Sequence, residues 1–214
     1  MSGGQYTAQL SDLNAPPCKE RQLKTATFDI ETTSLDAVGA GVLLCVVFQD
    51  YESREQTIFR VDNYRCKLGK EVPVLKDVIN HMEKYQMMVG HNAQRFDMNF
   101  LMTRCVRLGI SFTPNPFIYD TLKAFRRTGL LTVQNAFGKP SAGLDMVVDA
   151  LDGVQMKSKI YPASWWESVW DYKGSRKQAM NSIVEHCQAD VEMNASIYPQ
   201  LLAMDGKATI KRWR

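Results

Sequence analysis

Alternation marks the first element of the chain. Ala26, Phe28 and Ile30 are apolar, and Thr27, Asp29 and Glu31 stand between them. A period of two predicts a β-strand over residues 25–30 with one apolar face. Val42 to Phe48 is a continuous apolar run, the pattern of a strand covered on both sides. After a polar turn at Asp50–Arg54, Glu55 to Val61 alternates again. The three segments read as an antiparallel meander. Helical spacing begins at Val72 to Tyr85, where Val74, Leu75, Val78, Ile79 and Met82 share a face and Pro73 suits the first turn. Met87-Met88-Val89 is a short buried strand that ends at Gly90. Phe96 to Leu108 is a second helix, with Gly109 as its stop. Phe117-Ile118-Tyr119 is a strand, Leu122 to Phe125 a helical stretch, and Leu144 to Leu151 a short helix. Residues 128–142 and 153–176 read as irregular, the latter with Trp165, Trp166 and Trp170. Gln178 to Met204 is the last helix, which Pro199 is expected to kink or end early.

A helix between two strands of one sheet implies a parallel crossover. The fold class is therefore α/β: a mixed five-stranded sheet, three antiparallel strands and then parallel ones, flanked by helices. With 214 residues the chain accommodates one domain, over 23–204, with a polar lead-in at 1–22 and a basic tail at 205–214. The net charge of +3 neither demands nor opposes a nucleic-acid partner. Cys18, Cys45, Cys66, Cys105 and Cys187 are odd in number and lack a C-x-x-C pair, which argues for reduced thiols and against zinc. The N-terminus does not read as a signal sequence, and no apolar run nears the roughly 18 residues of a membrane span. A soluble protein, cytoplasmic or otherwise intracellular, with no membrane partner is expected.

The candidate chemistry is acidic. Asp29 and Glu31 fall on the same face of the first strand. Adjacent carboxylates repel, and a hard divalent cation relieves that repulsion, although a solvated strand face would carry the same pattern. Asp97 stands where a strand gives way to a helix, a place that also suits an ordinary helix-start acid. His186 and Asp190 are four apart and share a helix face, as surface pairs commonly do. Glu185, Glu192 and Asn194 near them are expected to point outward. Together Asp29, Glu31, Asp97 and Asp190 suffice for two divalent ions, the arrangement that clamps both oxygens of a phosphoryl displacement. A neutral His186 beside them suits proton transfer.

Three motifs in order carry a resemblance. Phe28-Asp29-Ile30-Glu31-Thr32-Thr33, Gly90-His91-Asn92 with Phe96-Asp97, and His186-Cys187 with Asp190-Val191 resemble the exonuclease motifs of the DnaQ-like (DEDD) 3′–5′ exonucleases, which have the ribonuclease H-like fold. Tyr119-Asp120-Thr121-Leu122 and Gly143 to Leu151 also resemble segments of that group. The resemblance implies two Mg²⁺ or Mn²⁺ held by Asp29, Glu31, Asp97 and Asp190, with His186 orienting or deprotonating the water. It places Thr32 against the 3′-terminal nucleotide and Leu35 as a wedge on the terminal base, with Asn92 a further substrate-binding candidate; Phe96 fits beside the scissile end but suits plain core packing better. One departure is plain: His186 stands four positions before Asp190, the spacing of members with Tyr at that position. The implied substrate is a single-stranded nucleic-acid 3′ end, DNA before RNA. A separate polymerase, or another replication or repair protein, is the implied partner. An RNA-trimming or structure-specific nuclease and a non-catalytic binding module are the alternatives. Arg95, Lys123, Arg126, Arg127, Arg176, Lys177, Tyr161, Trp165 and Trp166 are candidates for contacting the strand.

Overall fold

The computed structural model describes residues 23–64, 69–130, 142–156, 175–205 and 211–213. The lead-in 1–22, the segment with Tyr161, Trp165, Trp166 and Trp170, and Cys18, Cys66, Lys207 and Arg214 lie outside the described residues. The strands are β1 (Thr25–Thr32), β2 (Leu43–Asp50), β3 (Gln56–Arg60), β4 (Met87–Gly90), β5 (Phe117–Asp120) and β6 (Lys211–Arg212). The helices are α1 (Val72–Met82), α2 (Asp97–Arg107), α3 (Thr121–Thr128), α4 (Leu144–Ala150) and α5 (Arg176–Met204). The sheet order is β3-β2-β1-β4-β5-β6. β1, β2 and β3 form the antiparallel meander, and β4 and β5 run parallel to β1.

The two faces of β1 have different neighbours. Phe28 stacks on Phe48 at 6.0 Å between ring centroids, and Phe48 meets His81 of α1 at 4.9 Å. Ala26, Phe28 and Ile30 therefore belong to the core beneath α1. The opposite face, with Asp29 and Glu31, lies under α5, which packs across β1, β2 and β4. Being covered on both faces explains why β2 is apolar from Leu43 to Phe48. A second cluster joins Met87, Val89 and Tyr119 to Phe125, Val147, Val148, Ile197 and Tyr198. It seats α3, α4 and α5 on the parallel half of the sheet.

Four expectations change. α5 continues through Pro199 to Met204, because proline forfeits one backbone hydrogen bond while burial of Ile197, Tyr198 and Leu201 still favours the helix. Asn194, expected outward, is fully buried and hydrogen-bonded. The helical stretch at Leu122 to Phe125 is longer at both ends. Asp120 caps it by accepting from Lys123 N, and Gly129 closes it at φ 72°. The tail adds a sixth strand beside the five expected. β6 pairs antiparallel with β5, and Arg212 lies 4.9 Å over the Phe117 ring. A two-residue strand has no periodicity to read in advance. No helix among the described residues is long and apolar enough to cross a membrane.

Candidate metal centre

β1 delivers the first two carboxylates. Its register with β2 is regular to Glu31 opposite Cys45, then shifts before Thr32 pairs with Leu43. That irregularity turns the chain into an ordered loop just past Glu31. Thr33 holds the neck of the loop, donating from Oγ1 to Ala40 O and accepting from Val42 N. The Asp36 carboxylate accepts from Val38 N and Gly39 N, at 3.0 Å each. Leu35 rides on this loop with 81% of its surface exposed.

The third carboxylate arrives from β4. Gly90 ends that strand so close to its neighbours that a Cβ would stand 2.8 Å from Ala93 Cβ and 3.0 Å from Phe28 O. Asn92 follows in the left-handed region at φ 58°, and its carbonyl accepts from Arg95 N and Phe96 N. This turn puts Asp97 at the first position of α2, only 3% exposed. The parallel pairing of β1 with β4 stops at Thr27–Val89, and past it the Ile30 N–H donates to the Asp97 carboxylate.

α5 supplies the rest. His186 Nε2 stands 3.8 Å from Glu31 Oε1 and 3.9 Å from Asp190 Oδ2. One ligand atom from each of Glu31, His186 and Asp190 lies within 4.8 Å of the other two. The Cys187 thiol donates to Asp29 Oδ2 and to Asp29 O, both at 3.4 Å.

Glu31, His186 and Asp190 form the close group, and Asp29 and Asp97 lie outside it but near enough for their charges to act on Glu31. Burial, then the charges of Asp97, Glu31 and Asp190, push Asp29 far above its usual range, while the Cys187 hydrogen bond works against the shift. Burial, then Cys45, Asp190 and Asp97, raise Glu31 to about 9. Burial raises Asp97 to about 7, opposed by its own N–H and that of Ile30. Burial raises Asp190, the His186 charge lowers it, and Asp145 raises it further. Oxygen-rich, mutually repelling and largely buried, this donor set disfavours the charged carboxylates. It fits divalent cations, which would relieve the repulsion.

The other predicted residues are placed less centrally. Thr32 spends its hydroxyl on Ser34 O at 3.0 Å, leaving only its backbone as a substrate contact. Phe96 has one face against Phe100, at 5.7 Å, and is half-buried. Lys123 donates to Gln94 Oε1, and Arg127 is tied to Asp205, so neither cation is idle. Sequence reasoning missed the Cys187 thiol, Asp145 and Asn194. The first two lie inside segments already singled out, but nothing in their spacing marks them as facing the carboxylates.

A family model described as RNase_H superfamily matches residues 26–202. The chain belongs to that superfamily. RNase_H-superfamily domains are typically nucleases and generally use divalent metals, in keeping with the acidic pocket described above. No curated protein matches the chain. Among solved structures, this RNase_H-superfamily chain is similar to the family B DNA polymerase of the hyperthermophilic archaeon Pyrobaculum calidifontis. The TM-score is 0.62 and the identity 15%. The likeness covers 84% of this chain and 24% of the polymerase. At that identity it shows the shared fold.

Proposed function

We propose that the chain is a divalent-metal-dependent 3′–5′ exonuclease that releases nucleoside 5′-monophosphates from single-stranded 3′ ends. The observation that supports this reading best is the close approach of Glu31, His186 and Asp190, with Asp29 and Asp97 buried near enough for the carboxylate charges to act on one another. The carboxylates come from a strand, a helix start and a late helix far apart along the chain. Such convergence is costly for a fold unless a cation is held there. A DNA polymerase among the fold neighbours is the reason for placing DNA before RNA. A separate polymerase, or another replication or repair protein, is the proposed partner.

The four carboxylates would hold the cations, Mg²⁺ or Mn²⁺, shedding their protons to do so. When bound, the pair supplies charge stabilisation to both the attacking and the leaving oxygen of the scissile phosphodiester. His186 faces Glu31 and Asp190 with part of its ring open to solvent, so it accepts the proton of the attacking water and returns it to bulk. The water oxygen bonds to phosphorus, the bond to the 3′ oxygen breaks, that oxygen takes a proton from solvent to become the new 3′-hydroxyl, and the terminal nucleotide leaves as its 5′-monophosphate. Leu35 abuts the terminal base, the Thr32 backbone receives the last sugar, and Asn92 and the open face of Phe96 border the same end.

The test uses the purified chain with Mg²⁺ or Mn²⁺ and single-stranded DNA and RNA labelled at the 5′ end. A ladder shortening one nucleotide at a time, abolished by Asp29→Ala, is expected. Internal cuts point to an endonuclease, and binding without cleavage points to a non-catalytic module. Either outcome overturns the proposal.

A further inference from the structure

We infer that Asn194 and Thr121 form a buried polar brace that fixes where α5 presents Asp190. The inference rests on the metal-dependent reading above. Asn194 lies one turn beyond Asp190, and both Asn194 and Thr121 are completely buried. Asn194 Nδ2 donates to the Asp190 carbonyl at 3.1 Å. That contact decides the orientation of the amide, since the flipped form would set Oδ1 against another acceptor. Asn194 Oδ1 therefore faces Thr121 and accepts its hydroxyl at 2.8 Å, across 73 residues of sequence. Thr121 opens α3 immediately after β5 and also stands 3.2 Å from His91 Nδ1. His91 follows the last residue of β4, and its Nε2 donates to Ala142 O at 2.8 Å, just before α4. The Asn194–Thr121 bond thus ties α5 to the start of α3 at the carboxyl end of β5.

The geometry gives this brace a task that apolar packing does not perform. Ile183, Cys187, Val191 and Ala195 bury the sheet-facing side of α5. Burial of that kind is non-directional and tolerates a small rotation of the helix. One residue of rotation turns a helical side chain by about 100°, enough to swing Asp190 away from Glu31. A hydrogen bond is directional, and the Asn194–Thr121 bond sits within one turn of Asp190. Asn194 and Thr121 are positioning residues, because neither faces the carboxylates.

The test compares Asn194→Leu and Thr121→Val, both close in volume to the native residues, with the unaltered chain. Mn²⁺ affinity is read by calorimetry, and kcat and KM are read on a single-stranded oligonucleotide. Each variant is expected to weaken Mn²⁺ binding by about 10- to 100-fold, the range for outer-shell changes, and to lower kcat while KM for the oligonucleotide holds. The double variant should be little worse than either single one, and Thr121→Ser should stay near the unaltered chain. Ser196→Ala, which removes a different hydrogen bond of α5, serves as the control and should leave Mn²⁺ affinity unchanged. Should Asn194→Leu fail to fold, Thr121→Val and Thr121→Ser carry the comparison. Folded variants with native Mn²⁺ affinity and kcat, or with KM raised and kcat intact, overturn the brace and leave the nuclease reading standing. An unaltered chain that binds no Mn²⁺ overturns both.

Discussion

Arg104 and Glu71 hold α2, and with it Asp97, against the loop that carries Leu35. Arg104 Nε donates to Glu71 Oε1 at 2.7 Å and Nη2 to Oε2 at 3.0 Å, a two-pronged pair. The side chains are 5% and 2% exposed. Glu71 also accepts from Leu43 N, and Arg104 reaches Ala37 O and Gly69 O at 3.4 Å. Replacing Glu71 with Leu leaves a guanidinium buried against two distant carbonyls. Replacing Arg104 with Met leaves a buried carboxylate with a single weak donor. Breaking one side of such a pair costs about 3–5 kcal/mol. In a domain of this size that corresponds to a fall in Tm on the order of 10 °C. The double change removes both charges together and should recover most of the loss, since apolar replacement of a buried pair is often neutral or better. Urea denaturation of the two singles and the double, at one pH and without metal, measures this coupling. The reasoning fails if the singles cost under about 1 kcal/mol, the level of an exposed pair. It fails equally if the double costs the sum of the singles.

Three further outcomes follow from the site. Glu31, ordinarily near 4.5, stands at about 9 in the fold, and Asp97, ordinarily near 3.8, at about 7. Folding therefore favours their protonated forms: the metal-free chain keeps this stability below about pH 4 and loses it as pH climbs from there through 7 for Asp97 and through 9 for Glu31. Denaturation midpoints should fall over that window and recover on adding Mn²⁺, and a metal-free chain that grows more stable from pH 5 to 9 would contradict the shifts. Leu35→Ala, at an exposed loop tip, should change stability by no more than about 0.5 kcal/mol yet impair digestion of the last nucleotides. Equal rates for variant and native chain would remove the wedge role. His186→Ala should lower kcat by about 10²- to 10⁴-fold, and His186→Tyr, which the four-residue spacing to Asp190 accommodates, should retain more activity than Ala. Full activity in His186→Ala would show that the imidazole carries no proton.

Much of this was legible in the chain, for identifiable reasons. Alternation at Ala26, Phe28 and Ile30 and the unbroken run from Val42 to Phe48 report the two environments a sheet offers, so β1 and β2 were readable from period alone. Asp29 and Glu31 share a face because a strand has a period of two, and His186 and Asp190 because a helix brings i and i+4 together. What periodicity does not carry is the meeting of separate elements. The contact of Cys187 with Asp29 spans 158 residues, and nothing local to Cys187 signals it. Asn194 looks like a solvated polar residue until Thr121 arrives from the start of α3. Pro199 reads as a kink or an early end because it removes a backbone hydrogen bond, whereas burial of Ile197, Tyr198 and Leu201 carries the helix on to Met204.

The central claim is that four separated carboxylates hold two cations side by side. Anomalous diffraction from crystals grown with Mn²⁺ tests it most directly. Two peaks about 3.5–4 Å apart, bounded by Asp29, Glu31, Asp97 and Asp190, are expected. Saturating Mn²⁺ with no peak among those residues, or a single peak that leaves Asp97 uncoordinated, would contradict it.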